Sequence, residues 1–279
     1  MTNLHILTLS WFGKEKLEKL YPTLVSSLTD INYKWYIKEN GSNDGSIEMI
    51  NSWNNSNVIG INYPHNRDSF SFGSNFLFKE ASPENEDLIL LLNNDIIFND
   101  KLSLKKMVGL INKDNEIGVV GAKLLFPDNL LAHAGVVFPK FAKGLPTHYR
   151  SKEKDDKNSS KDREFQAVTG AVFLTKAKYY SEISYDQKSD MKGLDHALRW
   201  AFDDIDACFS IKHNMNKKII YCGGTNISHE ESITLKKNPV NRLFLNHNMA
   251  HFRMKWMNKV IIDQELYKKD PKYNLYEKK

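Results

Sequence analysis

The apolar and polar positions of the chain alternate between short unbroken runs and helical repeats. Asn3 to Trp11, with Leu4, Ile6, Leu7 and Leu9, reads as a first strand, and Lys14 to Leu28 places Leu17, Leu20, Leu24 and Leu28 at helical spacing. Tyr33 to Lys38 predicts a second strand. It runs into Glu39-Asn40-Gly41-Ser42-Asn43-Asp44-Gly45-Ser46, which is turn chemistry, and then a helix with Ile47 and Ile50. Val58 to Tyr63 is a third strand and Phe70 to Lys79 the start of another helix. Leu88 to Leu92 is wholly apolar, as a strand buried on both faces requires, and gives way abruptly to Asn93-Asn94-Asp95. Strands alternating with helices argue for a parallel sheet covered on both faces. Ligands of such sheets bind just beyond the carboxyl ends of the strands. A carboxylate backed by amides there suits a hard divalent cation and the phosphates it carries. An ordinary turn is the alternative, since Asn and Asp favour turns.

Beyond Asp95 the pattern loosens. Leu102 to Ile111 predicts a helix, and Ile117 to Phe126 a pair of strands around Gly118 and Gly121. Ala134 to Phe138 is a short strand, and the polar stretch from Ser151 to Asp162 reads as a mobile surface loop. Phe165 to Thr175 reads as strand, turn and helix around Thr169-Gly170-Ala171. A helix entered through Asp203-Asp204 carries Ile205, Cys208, Phe209 and Ile211. Lys218 to Cys222 is a last core strand, followed by Gly223-Gly224 and a polar run through His229. Leu245, Met249, Phe252 and Trp256 form an amphipathic stripe.

With 279 residues, 41% hydrophobic and 26% charged, the chain has the composition of a soluble globular protein. No apolar stretch approaches a membrane span, and the N-terminus runs into a strand without a basic leader, so a cytoplasmic setting is expected. Cys208 and Cys222 follow no metal-ligand spacing, which agrees with a reducing compartment. The net charge of +5 is uneven: from Lys236 to Lys279 eleven Lys or Arg stand against four Asp or Glu. That tail could meet acidic lipid head groups or simply be solvated. No nucleic-acid module accompanies it, so nucleic acid is not an expected partner.

Four polar clusters thus stand at strand ends or at a helix start: Glu39-Asn40, Asn93-Asn94-Asp95, Asp203-Asp204 and His229. Their order and context resemble the family 2 glycosyltransferases. The segments YIKENGSNDGS, LLLNNDIIF, GAKLLFPDNLLAHAGVVF, VTGAVFLTKAKYY and FDDIDACFSIKHNMNKKIIYCGGTNISHE carry the resemblance, which spans nearly the whole chain to about Trp256. It implies a GT-A fold: an α/β catalytic domain over residues 1–235, with a donor half to about 100 and an acceptor half after it. Residues 236–279 would form a helical extension and tail. It further implies an inverting transfer of a sugar from a UDP- or dTDP-sugar to a glycan or lipid-linked glycan of a bacterial surface polysaccharide. A possible oligomer and a peripheral membrane contact through the tail complete the expected partners.

The resemblance also distributes roles. Asp95 would be the carboxylate ligand of Mn²⁺ or Mg²⁺, with His229 completing the shell or contacting the phosphate, though taken alone it reads as a surface turn histidine; Asn93 is neutral where many relatives carry Asp. Asp204 matches the base that takes the acceptor's proton, and Asp203 the acid beside it. At a helix start either could instead be the N-cap, with Asp203 favoured for that task. Ser10, Trp11, Glu39, Asn66, Arg67, Asn75, Asn93 and Asn94 would line the donor. Glu39 would accept a pyrimidine imide N–H, or be a solvated turn residue. Thr169, Gly170 and Ala171 would form a small-residue turn beside the sugar or acceptor, though a tight turn alone also explains Gly170. A nucleotidyltransferase and a non-catalytic glycan-binding relative are the competing readings. The first lacks the expected Gly-rich basic loop after strand one, and the retained acidic clusters weigh against the second.

Overall fold

In the computed structural model the described residues are 3–63, 69–183, 191–199, 201–230 and 239–276, with backbone alone for 239–243. The first half follows the expected alternation: β1 (Leu4–Ser10), α1 (Lys14–Ser27), β2 (Tyr33–Glu39), α2 (Ser46–Ser52), β3 (Val58–Asn62), α3 (Phe70–Ala81) and β4 (Leu88–Leu92). The chain continues through β5 (Ile96–Phe98), α4 (Ser103–Lys113), β6 (Ile117–Leu125), β7 (Leu131–His133) and β8 (Val136–Val137). A 3-10 turn (Lys140–Ala142), β9 (Thr147–His148), β10 (Arg163–Phe165), β11 (Val172–Lys176) and α5 (Ala177–Glu182) come next. Then α6 (Asp203–Asn214), β12 (Lys218–His229), α7 (Pro239–Trp256) and α8 (Gln264–Lys269) complete the order.

The main sheet runs β10-β12-β6-β11-β4-β1-β2-β3. Strands β3, β2, β1 and β4 are mutually parallel, as are β6 and β12, while β11 is inserted antiparallel between β4 and β6. The unbroken apolar run of β4 follows from this central place. Leu88, Leu90 and Leu92 enter one core with Leu17, Leu20, Leu24 and Leu104, whereas Ile89 and Leu91 enter the other with Leu77, Tyr180, Phe209 and Phe252. Side chains two apart share a face, so both faces must be apolar.

Several elements differ from the sequence reading. Val172–Lys176 is a strand rather than a helix, because the slot between β4 and β6 satisfies its backbone on both edges. Ile117–Leu125 is one nine-residue strand, and Gly118 lies within it because Ile211 of α6 packs there; a Cβ would fall 2.3 Å from Ile211 Cγ2. Strand β12 does not stop at Gly223-Gly224. It passes an irregularity between Cys222 and Ile227, where Thr225 Oγ1 accepts the Lys123 N–H at 2.8 Å, and continues to His229.

The stretch from Ser151 to Asp162 is irregular but pinned. Arg150 grips Asp156, whose carboxylate accepts the N–H groups of Asn158 and Ser159, and the Tyr221 hydroxyl donates to the Ser159 carbonyl at 2.7 Å. On α7 the inward face is Asn248, Phe252 and Trp256, and Leu245 is exposed. The stripe is displaced because Asn248 Nδ2 donates to the carbonyls of Arg199 and Ala201. Phe252, Trp256 and Tyr267 join the main core, and the tail is tied down through Tyr276 N–H to the Asp162 carbonyl. Among the described residues no helix is long and apolar enough to cross a membrane.

Candidate active site

The site begins where β4 ends. The Asn93 N–H donates to the Ala171 carbonyl at 2.9 Å, and the chain reverses through Asn94 and Asp95 into β5. Strand β5 pairs antiparallel with the end of β12, with Ile96 opposite His229. That register brings Asp95 Oδ1 to 3.2 Å from His229 Nε2, and the Glu230 N–H donates to the Asp95 carbonyl at 3.0 Å. Helix α1 faces the same corner: Lys16 Nζ is 3.7 Å from Asp95 Oδ2, and Lys19 pairs with Glu230 at 2.9 Å.

Around this corner the expected donor residues are placed unequally. Ser10 is buried and its Oγ accepts from Asn94 Nδ2 at 3.4 Å, so it orients the amide. Trp11 is 45% exposed and meets Phe12 edge-to-face at 5.0 Å, so it is an open aromatic surface rather than a core residue. Glu39 is buried, and its carboxylate accepts the Gly41 N–H at 2.7 Å, the Ser42 N–H at 3.1 Å and the Ser42 hydroxyl. It is a turn organiser, not a solvated glutamate. Asn75 is fully buried and committed internally. Its Nδ2 bonds the Leu194 carbonyl (2.8 Å) and His196 Nε2 (2.7 Å), and its Oδ1 accepts from the Tyr180 hydroxyl and the Leu194 N–H, both at 2.8 Å. An amide has two donors and two acceptor positions, and all four are used. This removes Asn75 from the donor-contacting set. Asn66 and Arg67 lie outside the described residues.

On the other side of the Asn93–Ala171 contact stands α6. Asp204 Oδ2 accepts the Gly170 N–H and Oδ1 the Ile205 N–H, each at 2.8 Å. A Cβ on Gly170 would lie 3.1 Å from the Asp204 Cβ, so the close approach of this turn uses the glycine. Thr169 Oγ1 accepts from Ala171 N–H at 3.4 Å. Asp203 does not cap the helix. Phe202 holds the cap position with a left-handed φ of 70° and a side chain that makes no cap bond, Asp203 is buried, and the first-turn Ile205 N–H is taken by Asp204 instead. Burial first, and then the charge of Asp204, push the Asp203 carboxyl up from its ordinary range. Burial also raises Asp204, against the pull of the Gly170 and Ile205 N–H groups. Asp206 faces inward to Lys255 and Trp256, at 2.6 Å each, and is a packing residue.

Four residues escape sequence reasoning. Lys16 lies beside Asp95 but reads as an ordinary helix lysine. Asp44 accepts the N–H groups of Lys14 and Ser46, each at 3.0 Å, joining the loops after β1 and β2; its Asp-Gly-Ser context is the only signal. Buried His133 accepts the Thr169 N–H at Nε2 (3.4 Å) and bonds His148 Nδ1 through its own Nδ1 at 2.8 Å. His148 lies close enough to act electrostatically on Asp204. His133 ends β7 and His148 stands on β9 opposite Val136 of β8, a juxtaposition that no local pattern reveals.

Among the described residues no three His, Cys, Asp or Glu side chains gather as a metal site. Asp95 and His229 therefore offer a carboxylate and an imidazole alone. That donor set fits Mn²⁺ or Mg²⁺ held largely by substrate phosphates and water, rather than an all-protein cage.

The family model described as Glycosyl transferase family 2 matches residues 14–177. The O-antigen biosynthesis protein RfbC of Myxococcus xanthus is 31% identical over 125 residues, 42% of this chain but 9% of that protein's length. Among solved structures, GalNAc-T7 with UDP, GalNAc and Mn²⁺ superposes with a TM-score of 0.61 at 12% identity, over 83% of this chain and 44% of that one. The mannosyltransferase PcManGT of Pyrobaculum calidifontis, with GDP-Man and Mn²⁺, gives 0.60 at 10%, over 95% and 69%. S. aureus TarS 1-349 gives 0.55 at 12%, over 95% and 77%. At these identities the likeness is one of fold, and that fold is GT-A.

Proposed function

Because the chain belongs to glycosyl transferase family 2, we propose that it moves a sugar, with inversion, from a UDP- or dTDP-sugar to a hydroxyl of a glycan or lipid-linked glycan in surface-polysaccharide synthesis. The observation that carries this reading is one turn with two sides. Asn93 and Ala171 share a backbone bond, Asp95 lies two residues beyond the first, and Gly170 holds Asp204 beside the second. A leaving-group corner and a candidate base thereby face one short stretch of backbone.

In this mechanism Asp204 takes the proton of the acceptor hydroxyl as its oxygen bonds to the anomeric carbon and the bond to the diphosphate breaks. Its raised pKa makes the carboxylate a stronger base, and the Gly170 and Ile205 N–H groups fix its oxygens. Asp95 and His229 would hold the divalent ion, which supplies Lewis-acid neutralisation of the departing diphosphate. Lys16 adds a cation at the same corner. Trp11 offers an exposed aromatic face to the nucleoside, and the buried Glu39 turn shapes the floor beneath it. The basic residues of the extension would bring the enzyme to a lipid-linked acceptor.

A panel of nucleotide sugars, scored for nucleoside diphosphate release with Mn²⁺, Mg²⁺ or chelator, tests the reading. One uridine or thymidine donor should be turned over, and chelation should stop it. Asp204→Asn should lower transfer about 10³-fold with nucleotide affinity kept, and Asp95→Asn should remove the metal dependence along with at least about 10²-fold of turnover. Full activity in the Asp204 variant would overturn its role as base.

A further inference from the structure

The exposed apolar side chains are not scattered. Phe141 is 77% exposed on the 3-10 turn after β8, and Met254 is 80% exposed near the end of α7. Met257, Ile261 and Ile262 follow at 42, 55 and 45%. The two segments meet at Gly144, where the position of a Cβ lies 2.4 Å from Met257 Cε and 3.8 Å from Val260 Cγ1. Backbone and polar bonds hold the bases of both in place. Asp263 N–H donates to the Phe138 carbonyl, Asp263 Oδ1 accepts the Phe138 N–H at 2.8 Å, and Gln166 bonds the Ile261 peptide from both sides. The apolar tips therefore project from a braced platform. Lys140, Lys143, Arg253 and Lys259 flank them, and no Asp or Glu occurs from Pro139 to Leu145 or from Phe252 to Ile262.

We propose that this surface, rather than the tail beyond it, docks the protein on an anionic lipid bilayer, with Phe141, Met257, Ile261 and Ile262 entering the interface and the four bases meeting the head groups. The charge pattern favours this occupant over a second copy, because the two segments carry four exposed bases and no acid, and two such faces repel. Apolar tips spaced among lysines also suit a headgroup and acyl boundary better than a flat protein contact. The tail is less suited: Arg163 donates to the carbonyls of Pro271 and Tyr273, and Tyr276 bonds Asp162 and Asp114. The inference rests on the lipid-linked acceptor only for its biological purpose, and its geometry is independent of the sugar transferred.

The full chain should float with phosphatidylglycerol-containing vesicles and far less with phosphatidylcholine alone, with binding falling as salt rises. Phe141→Ser combined with Ile261→Ser and Ile262→Ser should cut the partition coefficient by at least about tenfold, as loss of inserted apolar area requires. Lys140→Glu, Lys143→Glu and Lys259→Glu together should abolish the preference for anionic vesicles. All these side chains are exposed, so unchanged melting confirms that the variants fold. Absence of vesicle binding by the wild-type chain, or binding by the apolar variant equal to wild type, would overturn the proposal. So would a concentration-dependent dimer that the same substitutions disperse. Donor turnover in vesicle-free solution reads the catalytic assignment separately.

Discussion

At the scale of single residues, the site separates groups that hold the protein from groups left for chemistry. Asn75 belongs to the first kind, with both amide donors and both acceptor positions spent on Leu194, His196 and Tyr180. Asn75→Leu should therefore cost about 3 kcal/mol or more of stability, since it strands a buried N–H, a carbonyl and a hydroxyl. Urea unfolding reads that loss, and a cost under about 1 kcal/mol would refute the internal role. The histidine pair allows a finer expectation. Burial drives His133 well below the usual histidine pKa, so it is neutral, and its Nε2 accepts the Thr169 N–H. Its proton then sits on Nδ1, and His148 must accept at Nδ1 and carry its own proton on Nε2. Nitrogen-15 shifts of the two rings should report opposite tautomers, and matching tautomers would break the chain of bonds. Composition hints at none of this, because Asn75 and His133 acquire their tasks from residues 15 to 121 positions away.

At the scale of elements, local periodicity made most strands and helices legible, and it failed where a neighbour decided the outcome. Helix α1 could be read directly from the helical spacing of its apolar positions, and strand β4 from its unbroken apolar run. Strand β11 could not, because its extended form depends on β4 and β6 offering two open edges. Strand β12 hid its last residues behind Gly223-Gly224, which reads as a turn unless Thr225 is known to bridge to β6. That extension is what delivers His229 to Asp95, so the histidine was legible as a candidate while its position was not. The packing of β6 against α6 gives a sharp test. Gly118→Ala would drive a methyl into Ile211 Cγ2 and should cost about 1–3 kcal/mol, read as a lower melting temperature. An unchanged melt would mean that α6 can shift without loss.

For the whole molecule, the C-terminal residues act as part of the body. Asp206, fully buried on α6, faces Lys255 and Trp256 of α7. Lys255→Met leaves that carboxylate without its cation and should cost about 3–5 kcal/mol, measurable by denaturant titration. Asp263 gives a pH signature. Burial raises its carboxyl from 3.8 to about 6. The fold thus favours the protonated form, so its contribution is full below about pH 4 and lost as pH rises through about 6, to a limit of about 3 kcal/mol. Asp263→Asn should abolish that slope, so the stability of wild type relative to the variant should fall across this window and level off above it. A parallel pair of stability curves would exclude Asp263 as the source.

Asp195 binds His251 and Lys255 of α7, each at 2.9 Å, while its neighbour Leu194 is gripped at both N–H and carbonyl by Asn75 of α3. A taut line therefore runs from the last long helix, through residues 194 and 195, into α3 where it packs on β1 and β2. Cutting the chain ahead of α7 would slacken the far end of that line, and the damage should surface first as poor handling of the nucleotide, far along the sequence from the scissors.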